Sequence, residues 1–199
     1  MILKAPAIIA LIFSGDAGRR RKVPTVGERN IMEKFADYFL NEKIHETRNS
    51  IIFRGHRENE DRPLIIKLLK TACPTSSEVA RFTQEYNLLR TLDIPNVIKI
   101  YDLVKHDNQY AIIEEDFGGI SLKNALKSKQ PDLKSLLQIS AKVSQTLGLI
   151  HGNNIIHLDI KPDNILINTE KGDVKITDFG ISAVLTHAND ELYNPDVIE

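Results

Sequence analysis

The chain has 199 residues, 42% of them hydrophobic and 27% charged, and its 26 Lys and Arg against 27 Asp and Glu leave a formal net charge of −1. That composition supports a sizeable core and excludes intrinsic disorder, and its balanced charge gives no overall field for holding nucleic acid, so no nucleic-acid partner is expected beyond what a local basic patch would allow. A lone cysteine, Cys73, excludes an internal disulfide framework, and no Cys/His cluster suggests structural zinc, which makes the reducing cytoplasm the default compartment.

Residues 5–13 are an apolar run, well short of the roughly 20 residues that span a bilayer, so no membrane span is expected. The run has the length of a signal-peptide core, but the basic residues Arg19, Arg20, Arg21 and Lys22 behind it disfavour export. It reads as a leader, or a short strand, ahead of the folded part. Residues 38–44 and 51–55 are β-prone runs separated by a polar stretch, which predicts a hairpin. Pro63 opens a nearly continuous apolar run interrupted by Lys67, a third strand. Thr75 and Glu78 have capping-box spacing, and Val79, Phe82, Tyr86 and Leu89 follow at helical intervals. Pro95 breaks that helix, and two more strand-like runs, 97–104 and 110–114, are joined through His106, Asp107 and Asn108. Beyond Gly118 and Gly119, residues 121–126 predict a short helix. Pro131 and Asp132 then start a longer one whose buried stripe should carry Leu133, Leu136, Leu137, Ser140, Val143, Leu147 and Ile150. Past Gly152 come loop and short strands at 165–168 and 174–177, with a turn at Lys171 and Gly172. Five strands with one inserted helix, followed mostly by helix, predict an α+β chain of two lobes joined near 115–119.

Three separated islands bear chemistry. The first runs from His157 through Leu158, Asp159, Ile160, Lys161, Pro162 and Asp163 to Asn164; the second is Asp178, Phe179 and Gly180; the third is Lys67 with Glu85 on the following helix. Each alone is weak: Lys67 could snorkel its head into water, and Asp178 could be a turn residue. Together, in this order and on these elements, they resemble the protein kinase superfamily in its bacterial, eukaryotic-like serine/threonine form. The resemblance implies a bilobal protein-kinase-like fold, with a small antiparallel five-stranded β lobe carrying one helix and a mainly helical larger lobe that is truncated. It implies a leader at 1–35, the smaller lobe at 36–116 and the start of the larger lobe at 117–199, up to the activation segment. The long helix would then leave apolar surface exposed, so poor activity and a tendency to aggregate are expected of the isolated chain.

Phosphoryl transfer spreads negative charge over the moving group, so such a site supplies cations and positioning more than covalent chemistry. By resemblance, Lys67 would hold the α- and β-phosphates of ATP and Glu85 would fix that lysine. Ile44 and Ile52 would line the ATP site, Glu114 and Asp116 would offer backbone groups to adenine, and Ile113 would be the gatekeeper. Asn164 and Asp178 would hold Mg²⁺, which favours hard oxygen ligands. Asp159 would be the catalytic base and Lys161 would neutralise charge on the transferred phosphate, the pairing with Pro162 implying serine or threonine hydroxyls of protein substrates. His157 would pack under the metal loop, and Leu89, Ile100, His157 and Phe179 match the family's packing stack.

The departures are local. His45, Thr47 and Ser50 stand where the three glycines of the phosphate-covering loop belong, although Asn49 and Ser50 can tighten a turn there. Ile65 replaces a small residue beside adenine, and Leu158 replaces the arginine that pairs with a phosphorylated activation loop. These features narrow the resemblance to the N-terminal kinase-like module of large bacterial signalling proteins, implying C-terminal ATPase and sensor histidine kinase modules as partners. A nucleotide-binding pseudokinase or scaffold module is the alternative, and a small-molecule phosphotransferase a third reading.

Overall fold

The computed structural model describes residues 33–71, 73–128, 131–185 and 192–193. The apolar run at 5–13 and its basic flank lie outside them. The chain divides into two compact units that interleave along the sequence. One comprises the residues up to Thr75 with Leu103–Ile113, the other Ser76–Asp102 with the chain from Glu114 onward.

The first unit is built on a sheet of order β1-β2-β3-β4-β6-β5. Its strands are β1 (Glu33–Phe35), β2 (Tyr38–Glu46), β3 (Ser50–Arg57), β4 (Pro63–Leu69), β5 (Ile100–His106) and β6 (Gln109–Glu115). The five expected strands are therefore six. The addition, β1, pairs antiparallel with β2 and buries Phe35; at three residues it is too short to show the alternation that marks a strand. The fourth expected strand starts later than its apolar run suggested, at Ile100, because Val97 forms a separate parallel bridge to Ile176. Asp107 and Asn108, both at positive φ, make the two-residue turn between β5 and β6, the backbone that matches the twist of paired strands. Phe35, Tyr38, Leu40, Ile51, Phe53, Leu64, Ile66, Ala111 and Ile113 form the core on this sheet. Alternation along β3 and β4 puts these side chains on one face.

The second unit contains α1 (Ser76–Thr91), β7 (Ile120–Ser121), α2 (Leu122–Ser128), α3 (Leu133–Gly152), β8 (Ile155–Ile156), β9 (Ile165–Asn168), β10 (Asp173–Ile176), β11 (Ala183–Leu185) and β12 (Leu192–Tyr193). Asp132 caps α3 by accepting the Ser135 N–H at 2.7 Å. Asn154, in the left-handed region, follows its C-cap, so two asparagines rather than Gly152 end the helix. Only the C-terminal half of α3 carries the expected buried stripe. Ile150 is fully buried and Val143 and Leu147 pack beside it, whereas Leu133 is 72% and Leu137 61% exposed. Helical spacing marks which residues share a face, but burial requires a second element against that face. Ile150 meets Leu89, Ile94, Val97, Ile155, Ile176 and Phe179 in one core. Two short antiparallel arrays, β10-β9-β7 and β12-β11-β8, flank the loops that follow. Among the described residues no helix is long and apolar enough to cross a membrane.

Candidate active site

The loop from His157 to Asn164 leaves β8 and enters β9, and it is held at both ends. His157 is buried against Phe179, with ring centroids 4.4 Å apart. Its Nδ1 accepts the Asp159 N–H at 3.2 Å, so the ring proton sits on Nε2, which donates to the Thr177 carbonyl at 3.2 Å. Burial holds the imidazole pKa below its ordinary range, keeping it neutral. His157 thus acts as a strut between the loop and the segment leading to Asp178. The Ser182 hydroxyl donates to the His157 carbonyl at 3.1 Å and adds a second tie. With Leu89 and Phe179 in one core and Ile100 packed against it, the four residues of the expected stack come together.

At the other end Asn164 is buried, and its Nδ2 donates to the Asp159 carbonyl at 3.0 Å and to Asp159 Oδ2 at 2.8 Å. Lys161 Nζ donates to the same Oδ2 at 2.6 Å, and that bond raises the lysine pKa, keeping it charged. Both contacts load Oδ2, so Oδ1 of Asp159 keeps its lone pairs for an incoming donor. The asparagine likewise spends its NH₂ on Asp159 and keeps its carbonyl oxygen, the hard donor a magnesium ion needs. The Thr177 N–H donates to the main-chain carbonyl of Asn164 at 3.0 Å, tying Asn164 to the strand end before Asp178. Asp178 itself has φ +66°, a left-handed conformation that costs a non-glycine residue about 1 kcal/mol and is imposed by the surrounding ties. Glu85, on α1, is 3% exposed; a Cβ placed on Gly180 would lie 3.5 Å from Asp178 Oδ1 and 3.7 Å from Glu85 Oε2. Glu85 and Asp178 therefore flank the same turn. One carboxylate and one amide fit an ion that takes its remaining ligands from phosphate and water. No cluster of three or more His, Cys, Asp or Glu suited to a metal exists among the described residues.

The remaining expected residues divide between the units. Lys67 is 7% exposed, so its head is not in bulk water, and it pairs across β3–β4 with Ile52, which places the two side chains on one face. Ile44 falls in a register irregularity between Lys43 and His45 and is exposed. Ile65 is half-buried opposite Arg54. In the second unit Glu114 is buried, and Asp116 accepts the Gly118 N–H at 2.8 Å, closing a turn in which Gly118 takes φ +67°.

Two features escaped the sequence reading. Thr47, more than Asn49, organises the glycine-free hairpin. Its Oγ1 accepts the N–H groups of Asn49 and Ser50 at 3.3 and 3.0 Å, and the Asn49 carbonyl accepts the Lys70 N–H at 2.8 Å. Glu46 pairs with Lys43 and Lys70 beside this turn; those bonds lower its pKa to about 2. A Thr-x-x-Ser spacing was the available signal for the turn. The second feature is the ion pair of Lys175 with Glu115, with Lys175 also 3.3 Å from the Val97 carbonyl and 5.6 Å from the Phe117 ring centre. These residues are 60 apart in sequence, and no local pattern announces such a pair.

Comparison with known proteins gives consistent results. The profile of the protein kinase domain matches residues 38–197. Serine/threonine-protein kinase PrkC of Bacillus subtilis is 37% identical over 139 residues, 66% of this chain and 21% of the relative. A probable serine/threonine-protein kinase of Clostridium perfringens is 33% identical over 159 residues, 76% of this chain and 23% of its own length. Serine/threonine-protein kinase nekl-2 of Caenorhabditis elegans is 32% identical over 143 residues, 66% of this chain and 40% of the relative. The chain thus spans about a fifth of the length of the two bacterial relatives.

Proposed function

The chain belongs to the protein kinase family, and from that premise we propose that it supports ATP- and Mg²⁺-dependent phosphoryl transfer to serine or threonine hydroxyls of protein substrates. The observation that carries this reading is Asp159, pinned through Oδ2 by Lys161 and Asn164 with Oδ1 left to an acceptor hydroxyl. Asp159 would orient that hydroxyl and take its proton as the oxygen bonds to the γ-phosphorus of ATP, while the bond from that phosphorus to the bridging oxygen breaks and ADP leaves. Lys161 stays charged beside it and offsets negative charge on the group in flight. Asn164 and Asp178 would hold the cation, which would supply positive charge to offset that of the phosphates. Lys67 and Glu85 would take the phosphate-positioning roles, and Ile44, Ile52, Glu114 and Asp116 are the proposed ATP-binding residues. In this reading the protein acts in the cytoplasm, in signal transduction, alongside ATPase and histidine kinase modules. Incubation with γ-labelled ATP and Mg²⁺ should label the chain itself or a generic protein substrate. Labelling no greater than that of Asp159→Ala would overturn the proposal.

One observation favours a second reading, a nucleotide-binding pseudokinase or scaffold. The hairpin tip has no glycine and is closed by Thr47, Ser50 and Lys70, which restricts close backbone approach to phosphate. A thermal shift with ATP and Mg²⁺ but no transfer would select it.

A further inference from the structure

The outer side of the catalytic loop has little to hold it. Leu158, at φ +62°, and Ile160 both expose their side chains there, so neither anchors the loop by packing. The bonds of Asn164 and Lys161 to Asp159 stitch the loop to itself, and those of His157 and Ser182 tie its inner edge. Across the outer side, Lys123 at the start of α2 makes two kinds of contact. Its N–H donates to the Pro162 carbonyl at 3.0 Å. Its Nζ forks onto both carboxylate oxygens of Asp163, at 2.9 and 3.1 Å. The platform beneath Lys123 is firm. Ile120 and Ser121 pair with Ile167 and Leu166 of β9, and Leu122 and Ala125 pack on Ile165, Ile167 and Val174. Lys123 therefore grips Pro162 and Asp163, the two residues between Lys161 and Asn164, from an element that is itself fastened to the strand after Asn164.

We propose that Lys123, through Asp163, is a positioning residue for the catalytic loop, holding Lys161 and Asn164 where both reach Oδ2 of Asp159. The proposal rests on the kinase reading for its consequence in catalysis, but the tie itself does not depend on turnover. Losing it lets the loop sample positions in which Asp159 and Lys161 are displaced, a fault that falls on the chemical step more than on nucleotide binding.

The test uses Lys123→Met, Asp163→Asn, the double variant and Lys123→Arg in the full chain. Amide hydrogen exchange across residues 157–164 should rise about ten-fold in both single variants, with β3 and β4 unchanged, and the double variant should add little to either single. Lys123→Arg, which can form the same fork, should restore protection. In phosphoryl transfer the same variants should lower kcat about ten-fold with the KM for ATP unchanged. Unchanged loop exchange in Lys123→Met, or additive effects in the double variant, would overturn the tie. Raised exchange with an unchanged kcat would overturn its positioning role. If the unmodified chain transfers no phosphate, the kinase reading fails and takes the positioning role with it, while the exchange results still decide whether the tie exists.

Discussion

Replacing His157 by phenylalanine isolates what the strut contributes. A benzyl ring keeps the apolar contact with Phe179, 4.4 Å away, but removes the bonds that join Asp159 N–H to Nδ1 and Nε2–H to the Thr177 carbonyl, both 3.2 Å. His157 is 1% exposed, so water does not readily replace the ring nitrogens. A neutral hydrogen bond contributes about 1 kcal/mol net, and a buried group left without its partner costs about 1–3 kcal/mol, so the two groups left behind cost about 2–6 kcal/mol together. That is a large share of the roughly 5–15 kcal/mol that stabilises a domain. The loss should also depend on pH. The folded imidazole pKa lies below the ordinary 6.5 because burial disfavours its charged form, so between those values the unfolded chain binds more protons. Stability from neutral His157 is complete above the unfolded pKa and is lost as pH falls below it. Phenylalanine has no such group, so the gap between the two proteins should be widest near neutrality and narrow on acidification. Urea denaturation at about pH 7.5 and about pH 5.5 measures both terms. Equal midpoints at the higher pH, or a gap of unchanged size at the lower, would refute the strut.

Gly55→Ala should cost about 3 kcal/mol or more in urea denaturation, because the new Cβ would sit 1.9 Å from the Phe39 carbonyl oxygen and 2.7 Å from Ile66 Cδ1. The closer contact is backbone, which cannot rotate away. Ile150→Ala should lose about 2–5 kcal/mol from the core it fills, whereas Leu137→Ala on the exposed face should stay within about 0.5 kcal/mol. Glu46→Gln should remove part of the acid sensitivity of the sheet unit. The carboxylate pKa is lowered from 4.5 to about 2, so its contribution is present above 4.5 and is lost as pH falls toward 2. Acid titration followed by circular dichroism should show the variant flatter over that range.

The chemistry-bearing residues were legible because their spacing is local. His157 to Asn164 is one loop and Asp178 to Gly180 one turn, so residue types at short separations carried the kinase resemblance and the roles proposed for them. Strand and helix positions were legible for the same reason, since alternation and three-to-four spacing are properties of neighbours along a chain. What the sequence could not determine is how distant segments meet. Whether Leu133 and Leu137 lie under another element, whether a three-residue strand joins the sheet at Phe35, and where register slips past Ile44 all depend on tertiary partners. The same holds for Lys123 with Asp163, 40 residues apart, and Lys175 with Glu115, 60 apart. Their charges read as ordinary surface residues until the chain is folded. An ion pair needs its two heads within about 4 Å, and only the packed backbone brings groups so far apart in sequence to that distance.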